Sequence, residues 1–179
     1  MINLFTVTLA CAAMSAWAQE TIDIAGFKQS LDMSGSWMVA PADPDPAGLP
    51  AADLQFSDFD GHVKAATGSH AIWLRTEIRN SRDFEISRLL ELANPLLARV
   101  TMYVDEPGRP MRIEHSGFRT PVESKSLHQP NPVMPLRLGP QSSATVYLHV
   151  FTLDRMRVPS KLWTTQAFYQ KQQVHTFIA

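Results

Sequence analysis

The chain has 179 residues, 45% of them hydrophobic and 18% charged, and its 16 Lys and Arg nearly balance 17 Asp and Glu for a formal net charge of −1. This length suits one domain around one core. The balanced charge speaks against nucleic acid and against anionic membrane surfaces as partners, and a single cysteine, Cys11, excludes a disulfide framework.

Taken in chain order, residues 4–14 form an apolar run of signal-peptide length, too short for the about 20 residues that span a bilayer. Ala16-Trp17-Ala18 then offers a small-x-small cleavage pattern before the polar Gln19-Glu20. We expect a signal peptide over residues 1–18 and a periplasmic or secreted mature chain. No Lys or Arg precedes the run, so its leading positive charge is the amino terminus alone. Cys11 would leave with the peptide. The alternatives are an uncleaved anchor, an ordinary first strand, and a lipoprotein acylated at Cys11, the last with Thr8 where a large aliphatic residue is usual.

After a lead-in over residues 19–30, the mature chain alternates short apolar bursts with turn-formers, an all-β pattern. The run PADPDPAGLP at 41–50 predicts a loop, because its four prolines lack backbone donors. Strands are predicted at 71–80, 87–94, 99–105, 111–115, 133–138, 145–151 and 160–164. Turns such as Glu106-Pro107-Gly108 and Gly139-Pro140-Gln141 separate them, and this spacing suits a β-sandwich or jelly roll. A short helix is expected only within 167–177.

Successive strand side chains point to opposite faces. Ile72, Leu74, Thr76 and Ile78 therefore share a predicted core face with Val100, Met102, Val104, Val146, Leu148 and Val150. The opposite face gathers Trp73, Arg75, Glu77, Arg79, Arg99, Thr101, Tyr103, Asp105, Tyr147, His149 and Phe151. Rings mixed with Arg, Glu and His suit a sugar-like or other small polar ligand, since a flat ring stacks while polar groups satisfy hydroxyls. Trp73, Arg75, Glu77, Tyr103, Tyr147 and His149 are the candidate ligand-binding residues. The same mixture also occurs on a solvated exterior whose aromatics stiffen cross-strand pairs. A structural Trp73, with Arg75 paired to a nearby carboxylate, accounts for these residues equally well.

Catalytic patterns are lacking. The histidines at 62, 70, 115, 128, 149 and 175 show no HxH or HExxH spacing, so no metal site is expected, although His115 and His149 sit on predicted strands that can bring them together. Neither a G-x-S-x-G elbow nor a Gly-rich phosphate loop is present. Glu77, Glu91 and Glu114 on predicted strands could supply a glycosidase's two carboxylates, and ordinary strand carboxylates explain them as well. The expectation is a non-enzyme without a cofactor.

The order Trp73-Leu74-Arg75 with Asn80, Leu90 to Leu96 reading LELANPL, Val100 to Tyr103, Gly108, Gly117, Pro121, Val133 to Leu136, and Val146 to Val150 resembles a known domain. It is similar to the type 2 extracellular domain of the seven-transmembrane receptors with diverse intracellular signalling modules. That resemblance spans about residues 31–168 and implies a jelly roll similar to carbohydrate-binding modules. It implies a periplasmic ligand sensor, with 169–179 as a tail toward membrane helices and a cytoplasmic histidine kinase or diguanylate cyclase. The sensor would then be attached to the inner membrane. Trp73, Arg75, Asn80, Asn94 and Tyr103 carry over as fold-defining positions before ligand-binding ones, and Trp37, Gly108 and Gly117 join the fold-defining set.

A rival resemblance is to the sugar-binding jelly roll that precedes many β-glycosidase barrels, through Leu31 to Trp37, reading LDMSGSW, and Trp73-Leu74-Arg75-Thr76. There Tyr103 would lead into a Y-x-N-G turn and the domain would close with an N-x-L-x-V strand. This chain has YVDEPG at 103–108 and ATVYL at 144–148 instead.

Overall fold

The computed structural model describes residues 21–59, 70–153 and 156–177, with side chains to residue 173. The expected signal peptide, with Cys11, and His62 lie outside these residues, as does the side chain of His175. Eleven strands, one α-helix and a single 3-10 turn at Val122–Ser124 are described: β1 Ile22–Asp23, β2 Ser30–Asp32, β3 Met38–Pro41, β4 Ser57–Asp58, β5 Ala71–Arg79, β6 Ile86–Leu92, β7 Leu97–Asp105, β8 Arg112–Ser116, β9 Val133–Leu138, β10 Ser143–Thr152, β11 Ser160–Trp163 and α1 Thr165–Phe177.

The strands form an all-β sandwich. The larger sheet has the order β4-β3-β5-β10-β7-β8, with β1 added in parallel beside the end of β5, and the smaller has the order β2-β11-β6-β9. From β5 onward the chain passes between the sheets at nearly every connection, as in jelly rolls. The predicted alternation accounts for the interior. Ile72, Leu74, Ile78, Val100, Met102, Val104, Val146, Leu148 and Val150 meet Leu90, Leu92, Met134, Leu136, Leu138 and Leu162 of the smaller sheet in one core.

The seven predicted strands appear as β5 to β11, with ends displaced by one or two residues. The short strands β1 to β4 went unpredicted, because two to four residues hold too few alternations to reveal a period. β3 also runs into the predicted loop, ending on Pro41 opposite Ile72. A strand end tolerates a proline because no further ladder donor is required there. Helix α1 begins at Thr165, earlier than the expected tail.

Two covers alter the simple in–out pattern. On the smaller sheet, α1 seats Phe168 against Leu89, Val133 and Trp163, so β6 is buried on both faces. On the larger sheet, the 42–56 connection crosses the outer face and buries Ala71 and Trp73.

Turn chemistry fixes the ends of the sandwich. Asn80 Nδ2 donates to the carbonyls of Phe84, Leu138 and Gly139 at 2.8, 3.3 and 2.7 Å, and its Oδ1 accepts from Arg82 N, tying the β5–β6 and β9–β10 turns together. Gly108 has φ +78° in the turn closed by Arg109 N to Glu106 O, and with Pro107 before it this is the type II pattern. Gly117 has φ +111°, and a Cβ there would lie 2.5 Å from the Ala98 carbonyl oxygen. At the same end, Asn94 Nδ2 donates to Arg157 O while Leu96 N donates to Asn94 Oδ1. Trp37, buried ahead of β3, donates from Nε1 to Ser160 Oγ at 2.7 Å and so links the two sheets through the core.

Candidate functional site

Cross-strand register assembles the outer face of the larger sheet row by row. Tyr147 on β10 lies opposite Arg75 on β5 and Tyr103 on β7, and Ile113 on β8 continues that row. His149 lies opposite Trp73 and Thr101, with His115 beyond Thr101. Thr145 lies opposite Glu77 and Asp105. All six candidate ligand residues thus share one face, as alternation predicted.

The connection over 42–56 divides that face in two. His149 Nε2 is 2.8 Å from the Asp43 carbonyl oxygen, which can only accept, so Nε2 carries the hydrogen. Arg99 donates to Pro44 O at 2.8 Å, pairs with Asp45 at 2.5 Å, and lies 5.0 Å over the Phe151 ring. Beneath this cover Trp73 and His149 are 3% and 4% exposed, their rings 5.0 Å apart in an edge contact. Burial pushes the His149 pKa below its ordinary 6.5, and Arg99 acts in the same direction against the Asp43 hydrogen bond and Asp45. Neutral imidazole is therefore the form this site holds.

Of the six residues proposed from sequence, Trp73 and His149 have no ring face open to a solute. The four others lie in the open part. Arg75 pairs with Glu77 at 3.1 Å along the strand, both partly exposed. Tyr103 and Tyr147 are half-buried; Tyr103 packs 5.8 Å from Trp73, and Tyr147 lies 6.5 Å from Phe56 at the edge of the cover. Burial raises the Tyr103 pKa, keeping its hydroxyl a neutral donor. Thr145 and Asp105 complete the strip. Thr145 was legible from the same alternation; Phe56, Asp43 and Asp45 were not, because nothing local in a loop states which face it crosses.

Other constellations separate. His115 and His149 are kept apart by Thr101, whose hydroxyl is 3.3 Å from His115 Nδ1. Among the described residues no group of three or more His, Cys, Asp and Glu could hold a metal ion. The three strand carboxylates also diverge. Glu77 lies on the outer face of the larger sheet, and Glu114 on β8 accepts from Ser126. Glu91 is buried under α1, accepting from Lys171 Nζ, Trp163 Nε1 and Asn131 Nδ2 at 2.8 to 2.9 Å. No two of them flank a common bond.

No described helix is long and apolar enough to cross a membrane. No curated protein matches the chain. The family model 7TMR-DISM extracellular 2 matches residues 32–164, which run from the end of β2 to just past β11 and so take in most of both sheets. With that span matched, the chain belongs to the 7TMR-DISM extracellular 2 family, the extracellular sensor domains of membrane receptors.

Proposed function

We propose that the protein is the periplasmic ligand-sensing domain of a membrane signalling receptor, and that it takes a small polar or carbohydrate-like ligand on the open strip of the larger sheet. The observation that carries this reading is the row Arg75–Tyr147–Tyr103, flanked by Glu77, Thr145 and Asp105 and bordered by Phe56. Two half-buried rings supply stacking surface, and an arginine, two carboxylates and hydroxyls supply donors and acceptors around it. Trp73 and His149 support the platform from beneath the cover. The family supports the receptor context, and we extend it to output through membrane helices to a cytoplasmic histidine kinase or diguanylate cyclase.

A thermal-shift and calorimetric screen against mono- and oligosaccharides and other small polyols tests the ligand. The expected result is a stabilising compound whose effect, measured against each variant's own unliganded melting temperature, vanishes in Arg75→Ala and Tyr147→Ala. No stabilisation by any compound, or stabilisation that both variants retain, overturns the assignment of ligand and site.

A further inference from the structure

The end of the sandwich opposite the Asn80 turns carries an apolar cluster that neither the core nor the outer-face strip uses. Leu96, Phe118 and Leu153 are 58%, 51% and 50% exposed. Their backbones meet around one residue. Phe118 N donates to Leu97 O, Thr152 pairs with Leu97, and Thr152 Oγ1 donates to Leu96 O. Two exposed arginines flank the cluster: Arg119, whose N donates to Ala98 O, and Arg157, whose carbonyl accepts from Asn94. The other end carries Phe84 at 59% and Met111 at 42%, apart in sequence and among charges of both signs, Arg82, Asp83, Glu85 and Arg109, the last paired with Glu85 and Glu106.

Large apolar side chains gathered at one tip beside arginines match a phospholipid surface, where rings and leucines enter the acyl boundary and guanidinium groups hold phosphates. We infer that the Leu96–Phe118–Leu153 tip, with Arg119 and Arg157, docks the domain onto the bilayer of its own receptor. From the net charge of −1 an anionic membrane surface was not an expected partner; net charge carries no information on how charge is distributed, and here Arg119 and Arg157 sit beside the apolar residues. The anchoring contacts of α1 step along β6 toward the same end, with Phe168 on Leu89 and Lys171 on Glu91. The inference rests on the receptor reading only for the presence of a membrane beside the domain and is independent of any ligand.

The test places one environment-sensitive fluorophore on the full chain in a Cys11→Ser background, at Phe118→Cys or, as the opposite-end control, at Phe84→Cys. Mixed phosphatidylethanolamine and phosphatidylglycerol vesicles should shift emission to the blue at position 118 and leave position 84 unchanged. Replacing Arg119 and Arg157 together by Gln should weaken that vesicle response roughly 30-fold, at about 1 kcal/mol per basic residue near a charged surface. No shift at 118, or equal shifts at both positions, overturns the inference. A shift at 118 that grows with protein concentration in the absence of vesicles also overturns it, assigning the tip to a second copy of the chain. Because no ligand is added, failure here leaves the sensing proposal standing, and failure of the ligand screen leaves this one.

Discussion

At the scale of single residues, Trp73 shows how one position changes meaning once the fold is assembled. Its place in the alternation puts it on the outer face, yet the cover leaves it 3% exposed. Trp73→Ala should therefore cost about 3–5 kcal/mol in denaturant unfolding, as large aromatic truncations in cores do, whereas Tyr147→Ala should cost far less. Asn80→Ala would strip the donor shared by three turn carbonyls, two of them in buried surroundings, and should cost about 2–3 kcal/mol. His149 gives a pH signature. Its pKa is lowered on folding, so the neutral form's contribution is fully present above the unfolded value near 6.5 and is lost as pH falls from there through the folded value. His149→Gln should flatten that decline when stability is measured across the window.

At the scale of elements, α1 is held to the smaller sheet by Phe168 and by one buried carboxylate. Burial alone would raise the Glu91 pKa, but hydrogen bonds from Lys171, Asn131 and Trp163 and the Lys171 charge outweigh it and hold the carboxyl below its ordinary 4.5. Lys171→Met removes the only cation on Glu91 among the described residues. It should destabilise by about 3 kcal/mol, the low end for breaking a buried pair because Lys171 is itself partly exposed. Amide exchange would show it first as lost protection in α1, with β5, β7 and β10 protected as before. Strands β5 to β10 were legible because each holds enough residues to show a period, whereas β11, with four residues, and α1, whose apolar residues form no clear stripe, were placed without one. The anchoring of α1 was not, since Glu91 meets Lys171 across 80 positions of sequence.

At the scale of the whole molecule, the two sheets share one core, which predicts a single cooperative transition with near- and far-ultraviolet circular dichroism changing together. A sandwich was readable because alternation on β5, β7 and β10 states which side chains point inward. Two of the six candidate residues, Trp73 and His149, lie covered because exposure depends on what crosses a sheet, and the 42–56 connection has no periodicity to betray its course. That same connection has a thermodynamic consequence. Pro44, Pro46 and Pro50 restrict the unfolded chain, and Asp43, Pro44 and Asp45 are already moored to His149 and Arg99. A solute settling beside Phe56 would thus meet a rim with little conformational entropy left to lose. Selectivity would then follow from the fixed outline of that rim, and association would not wait on loop closure.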